Sequence, residues 1–301
     1  MKITLLGAGA IGGLWSCQLA KQGHHLHLWT RDDAKTISLT FKGLNQAETE
    51  LFSFHCNDKA AVTESDCILI TVKTFQVEQA LRDILPFISP ATPVVIMHNG
   101  MGSQQKVQQL LPNNPILYAT TSQAAFKPSQ QQVNHTGIGQ TWMGADNKAG
   151  KNYAFLAEVF NQALAPCQWH QDIAQPLWQK LAINCAINPL TAKHQCQNGK
   201  LARPEFNDLL TQICREVAAV MSAEGYRVTV SELRAQVDWV IKATATNFSS
   251  MNQDICQQRP TEIDYITGYL IARAKTHDIP VPINTQLWQQ IKQLEQEYND
   301  E

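Results

Sequence analysis

The first twelve residues restrict the fold more than any other stretch of the chain. MKITLL is a short apolar run that passes directly into Gly7, Ala8, Gly9, Ala10, Ile11 and Gly12. This is G-x-G-x-x-G between a predicted strand and a predicted helix, which spans Ile11 to about Lys21 and is closed by Gly23. Gly7 permits a tight turn, Gly9 lets a diphosphate approach the backbone, and Gly12 lets the helix pack close to the strand. The first helical turn then offers its N–H groups and positive dipole end to phosphate. A lysine ahead of apolar residues also mimics a secretory leader, but these glycines fall at nucleotide-binding spacing rather than at a cleavage site. The segment is therefore expected to be retained as the start of an α/β dinucleotide-binding domain.

Further apolar runs fit a mostly parallel, doubly wound sheet. HHLHLW ends at Trp29, while CILITV (67–72) and PVVIMH (93–98) are near-continuous, as in strands buried on both faces. ILYATT (116–121) and the segments around VNHTG and QTWMG extend the sheet, some of it antiparallel. Ligands in open α/β sheets lie at the carboxyl ends of the strands, which here carry Lys73-Thr74-Phe75-Gln76 and Asn99-Gly100-Met101-Gly102. A surface lysine and a plain Asn-Gly turn are the bland alternatives. Beside the glycine fingerprint, cofactor contacts are the better expectation. After Trp29 come Thr30, Arg31, Asp32 and Asp33, where an acid would take the ribose of NAD and an arginine the 2′-phosphate of NADP. Arg31 favours NADP, and Asp32 is the alternative if the turn shifts by one residue. His24, His25 and His27 sit on this strand, where structural roles outweigh a metal site; no metal is expected.

After about Cys167 the pattern changes to helical periodicity, dividing the chain into residues 1–167 and 168–301. LWQKLAINCAINPLTA (177–192) reads as a buried helix that nonetheless carries Lys180, Asn184 and Asn188. Steps of four residues advance a helix by about 40°, so the three share an arc of about 80°. That is either a solvated stripe or the polar edge of a ligand site. Further helices are expected over 206–224, 231 to about 246, 262–277 and 284–297. NFSSMNQD (247–254) reads as a polar break, and Gln130–Gln132 and Gln257–Gln258 as solvated loops. In RPTEIDYITGYL, Thr261 is the expected N-cap, with Asp264 completing a capping box. Glu262 is then either a helix-start charge or a partner for Lys180.

Composition narrows the partners. With 44% hydrophobic and 17% charged residues and a formal charge of −2, nothing argues for nucleic acid or a membrane surface. The 8 cysteines are dispersed with no C-x-x-C pair, and read as buried thiols of a reducing cytoplasm. No apolar run reaches the ~18 residues of a membrane-spanning helix.

GAGAIG, TVKTFQ, HNGMG, the Lys180 helix, NFSSMNQD and TEIDYITGY together resemble the ketopantoate reductase (2-dehydropantoate 2-reductase) family over nearly the whole chain. The fingerprint is shared by many oxidoreductases; the combination with the lysine helix, the Ser-Ser-Met loop and the Glu-x-Asp-Tyr segment is specific. The resemblance implies an N-terminal Rossmann domain and an all-α C-terminal domain of the 6-phosphogluconate dehydrogenase C-terminal-like type. It implies NADPH-dependent reduction of 2-dehydropantoate to pantoate, by a monomer or homodimer. By the same resemblance Lys180 is the proton donor, and Glu262 orders that lysine and the substrate. Asn184, Asn188, Asn198 and Ser250 hold the substrate; Lys73, Gln76, Asn99 and Ala125 contact the cofactor; Arg31 takes its 2′-phosphate. His98 stands where glutamine is common in the family. Two rivals are a related NADP-dependent 2-oxoacid or 3-hydroxyacid dehydrogenase and a non-catalytic NADPH-sensing regulator. Lys180 and Glu262 count against the sensor, which needs no proton donor.

Overall fold

The runs Ile3–Leu6, Cys67–Ile70 and Val94–Met97 are buried at every position, and a strand buried on both faces belongs inside a parallel sheet. The computed structural model describes residues 1–297. Its first half runs β1 (Lys2–Leu6), α1 (Ala10–Lys21), β2 (His25–Trp29), β3 (Thr36–Lys42), β4 (Thr49–Cys56), α2 (Lys59–Thr63) and β5 (Cys67–Ile70). It continues with α3 (Val77–Ile84), β6 (Val94–Met97), α4 (Gln104–Leu110), β7 (Ile116–Thr121), β8 (Ala124–Ser129), β9 (Gln132–Gly137), β10 (Thr141–Ala145), α5 (Leu156–Ala163) and β11 (Cys167–Trp169).

One sheet takes all these strands in the order β11-β10-β7-β6-β5-β1-β2-β4-β3-β9-β8. Strands β4, β2, β1, β5, β6 and β7 are parallel throughout. That is the 3-2-1-4-5-6 order of a doubly wound dinucleotide fold, whose direction reverses at β1. β10 closes one side antiparallel to β7, and the β3–β4 and β8–β9 pairs extend the other. The β3–β4 pair lies outside the expected strand set, although Ile37, Leu39 and Phe41 alternate as a half-buried strand should. Trp15 on α1 packs on Phe160 of α5 at 5.1 Å, and a core of Leu5, Leu14, Leu28, Leu69 and Leu117 fills the space around them.

Contacts divide the described chain into one unit of 1–98 with 103–176, and another of 99–102 with the chain from Leu177 onward. The second unit is helical: α6 (Ala174–Lys193), α7 (Asn207–Ala223), α8 (Val230–Ala243), α9 (Ser250–Cys256), α10 (Thr267–Thr276) and α11 (Pro282–Glu297). Two expectations fail here. The supposed polar break of NFSSMNQD contains a helix, because Ser249 accepts the Asn252 N–H at 3.1 Å and caps α9. The Thr261–Asp264 capping box does not form, and α10 begins only at Thr267.

Partners on α11 take those side chains instead. Thr261 donates from its backbone N–H (2.8 Å) and its hydroxyl (2.7 Å) to Glu295, while Asp264 accepts from Trp288 (2.7 Å) and Lys292 (2.9 Å). The start of α11 is held in turn by Glu216 of α7. Its carboxylate accepts the N–H groups of Ile283 and Asn284, both at 2.9 Å, and supplies the cap that Pro282 at the first turn lacks. The segment carrying Glu262 is thus fixed from α11, and α11 from α7.

Candidate active site

In the first unit the glycine loop is set by backbone geometry. Gly7 has φ +96°, and a Cβ on Gly12 would lie 1.9 Å from the Gly7 carbonyl oxygen, so no side chain fits there. Thr71, just past β5, donates its hydroxyl to Leu6 O (3.1 Å) and Gly7 O (2.8 Å), bracing the loop from the neighbouring strand. Gly9 differs. A Cβ on Gly9 would meet nothing within 4 Å, so the protein's own packing does not demand glycine at this position. Open space ahead of the α1 N–H groups, beside a residue without a side chain, is what a dinucleotide diphosphate requires. The loop therefore fits the group that the sequence implies.

At the tip of β2, Thr30 donates from Oγ1 to Asp32 Oδ1 at 2.6 Å, and Asn57 Nδ2 donates to the Asp32 carbonyl at 2.6 Å. Asp32 is bonded within its own turn, and Arg31 and Asp32 are both exposed. After β5, the Gln76 carboxamide oxygen accepts the Lys73 N–H at 3.3 Å, closing a short turn around the half-buried lysine. A buried chain links that turn to the next strand end. Thr74 Oγ1 lies 3.2 Å from His98 Nδ1, His98 Nε2 2.8 Å from Ser103, and Ser103 3.0 Å from Tyr118 OH. Ala125 is half-buried on β8 against the same core that Ala8 touches. Of the three histidines, His27 makes structural contacts: Nε2 accepts the Asp58 N–H at 2.9 Å and Nδ1 meets Thr4 at 3.1 Å. Among the described residues, no group of three or more His, Cys, Asp or Glu could hold a metal ion.

In the second unit α6 carries Lys180, Asn184 and Asn188 along one edge, Lys180 and Asn184 half-buried and Asn188 buried. Burial pulls the Lys180 ammonium down to about 8, and the negative charge of Glu262 opposes that fall. Glu262 is itself buried and accepts from Asn99 Nδ2 at 3.3 Å. Lys180, Glu262 and Asn99 are thereby brought together.

Ser250 opens α9 and is exposed, but its neighbours are anchored: Thr191 Oγ1 lies 2.7 Å from Ser249 Oγ, and Asn252 donates to Thr191 O at 2.7 Å. Those bonds tie the start of α9 to the α6 turn after Asn188. Asn198 is drawn elsewhere. Its Nδ2 donates to Thr244 at 2.8 Å and its N–H to Asn247 O at 2.9 Å, while Oδ1, buried, has no hydrogen-bond partner among the described residues. Thr71, Thr191 and Glu295 went unmarked in the sequence, since each acts through a partner more than 30 residues away.

An amine whose pKa is lowered by burial and kept from falling further by a buried carboxylate can deliver a proton to a developing alkoxide, and nearby carboxamides can orient a small polar molecule. Seven of the eight cysteines are buried, and Cys256 is exposed. No described helix is long and apolar enough to cross a membrane.

The profile described as Ketopantoate reductase PanE/ApbA matches residues 3–148, and that of its C-terminal part matches 172–295. The chain is 47% identical over 299 residues to the 2-dehydropantoate 2-reductase of Vibrio cholerae serotype O1, covering 99% of each. Among solved structures, it resembles a PanE/ApbA family ketopantoate reductase from Ralstonia eutropha JMP134 with a TM-score of 0.88 at 26% identity, over 99% of this chain and 100% of that one. A D-mandelate dehydrogenase solved with NADH and anilino(oxo)acetate shares the fold, with a TM-score of 0.89 at 22% identity over 99% and 100% of the two chains.

Proposed function

The chain belongs to the ketopantoate reductase family, and on that premise we propose that it reduces 2-dehydropantoate to (R)-pantoate with NADPH. Such a step leads toward pantothenate and coenzyme A. The observation that carries the reading is Lys180, whose affinity for its proton is set to about 8 by burial against the charge of Glu262. When bound, NADPH supplies a hydride to the C2 ketone carbon. Negative charge then develops on the ketone oxygen, and Lys180 neutralises it by giving up its proton. Glu262 keeps the lysine protonated enough to act. Asn184, Asn188, Asn198 and Ser250 hold the hydroxyl and carboxylate of the substrate without adding charge to the site.

Gly7 to Gly12, Lys73, Gln76, Asn99 and Ala125 hold the dinucleotide. Arg31 selects NADPH, because the Asp32 carboxylate already accepts the Thr30 hydroxyl, whereas the guanidinium can grip a phosphate by paired, charge-assisted bonds. The dispersed, mostly buried thiols fit a cytoplasmic enzyme, and the family fits a monomer or homodimer. Adding 2-dehydropantoate, pyruvate, 2-oxoisovalerate or benzoylformate to enzyme and NADPH, and following absorbance at the nicotinamide band, tests the substrate. Oxidation with 2-dehydropantoate far above the others supports the reading; preference for benzoylformate moves it to a 2-hydroxyacid dehydrogenase.

Replacing Arg31 with alanine is expected to weaken NADPH at least tenfold and leave NADH nearly unchanged. Each lost charge-assisted bond contributes about 1.5–3 kcal/mol, and about 1.4 kcal/mol is a factor of ten. Paired fluorescence titrations of wild type and variant decide it. A wild type that prefers NADH, or a variant that weakens both alike, would transfer the role to Asp32.

A further inference from the structure

Lys127 has no part in the roles above, yet its Nζ donates to the Ala8 carbonyl oxygen, inside the glycine loop, at 2.6 Å. The sequence accounts for that approach. Gly13 follows the fingerprint, and a Cβ there would lie 2.6 Å from Val133 Cγ2 on β9, so the β8–β9 hairpin seats directly on the first turns of α1. Pairing of β8 with β9 then slips between Phe126 and Ser129, where Pro128 has no N–H to give, and such a bulge re-aims a side chain. Ala125, in the same strand, packs against the core cluster that Ala8 also touches.

Lys127 is half-buried, and burial holds its amine below the ordinary lysine range. A neutral carbonyl only partly compensates a desolvated ammonium, whereas an anion beside it would compensate fully. The loop it touches is the one whose open face at Gly9 suits a diphosphate.

We propose that Lys127 is a further cofactor-binding residue, whose ammonium, anchored on the Ala8 carbonyl, supplies the positive charge against which the dinucleotide diphosphate binds. This rests on the dinucleotide reading of the first unit. It assigns Lys127 to the diphosphate of NADPH and Arg31 to the 2′-phosphate.

The test uses the full chain as wild type, Lys127→Met, Lys127→Gln and Lys127→Arg, with thermal melting to verify folding. Each is titrated with NADPH, with ADP-ribose (diphosphate, no 2′-phosphate) and with adenosine 2′-monophosphate (the reverse). Glutamine can still donate to Ala8 O, so Lys127→Gln removes the charge and keeps the brace. Kd for NADPH and ADP-ribose is expected to rise about tenfold in Lys127→Met and Lys127→Gln, the scale of one charge-assisted bond. Lys127→Arg should stay near wild type, and adenosine 2′-monophosphate should bind all four proteins alike. Unchanged ADP-ribose binding in Lys127→Gln would reduce Lys127 to a brace and overturn the proposal. Equal weakening of all three ligands would do so too, as the mark of a deformed loop. A wild type that binds neither NADPH nor NADH would remove the dinucleotide reading itself.

Discussion

Lys180→Ala is expected to lower kcat by about 10²–10⁴-fold, the usual contribution of a positioned general acid, while Kd for NADPH stays within a few-fold of wild type. The separation follows from where the groups sit. Lys180 lies on α6 in the helical unit, whereas the glycine loop belongs to the sheet unit. The pH dependence sharpens the expectation. Lys180 donates only when protonated, and burial has brought its pKa to about 8. Reductive kcat should therefore hold below that pH and fall about tenfold per unit above it, and the alanine variant should lose this limb. A variant within a few-fold of wild type, or one that keeps the same basic limb, would take Lys180 out of the mechanism.

Glu262→Gln should shift that limb toward acid. Glutamine keeps the volume and an acceptor for Asn99 but removes the charge that supports the protonated lysine against burial. Each unit by which the lysine pKa falls leaves tenfold less of the protonated form at a pH above it. Lost kcat/KM on the order of 10²-fold at pH 8 is expected, partly recovered in more acid buffer, with NADPH affinity near wild type. The competing view, a charge at a helix start worth ~0.3–1 kcal/mol, is left with a single 3₁₀ turn (Ile263–Tyr265) after Glu262, since α10 begins at Thr267. Profiles of kcat against pH for the two proteins separate the ideas: identical limbs with a lowered melting point would leave Glu262 a structural acid.

What the sequence makes legible is what local periodicity and spacing encode. A strand, G-x-G-x-x-G and a helix can hardly be arranged otherwise, and the buried parallel strands follow from runs with no polar face. The β3–β4 pair shows the same kind of signal in Phe52, Phe54 and Cys56, but between exposed residues that dilute it. Contacts that depend on a distant helix are not written locally. Thr261 and Asp264 have the spacing of a capping box, yet Glu295 takes the Thr261 N–H that the box would give Asp264, and Trp288 and Lys292 donate to Asp264 instead. Ser249 and Ser250 look alike in sequence; only the Thr191 hydroxyl makes one of them an anchor and leaves the other exposed. Lys127 reads as a surface lysine until Gly13 and Val133 show how closely its hairpin meets α1. The meeting of Lys180 with Glu262 belongs to the same class, since it depends on the packing of α6 against a segment held from α11.

A single turnover tests most directly whether Lys180 delivers the proton. NADPH bound to excess enzyme is mixed with excess 2-dehydropantoate, and loss of nicotinamide absorbance is followed for wild type and Lys180→Ala. The bound NADPH is expected to be oxidised rapidly by wild type and at least about 10²-fold more slowly by the variant, with pantoate as product. Equal rates in the two proteins, or no oxidation by wild type, would contradict that role.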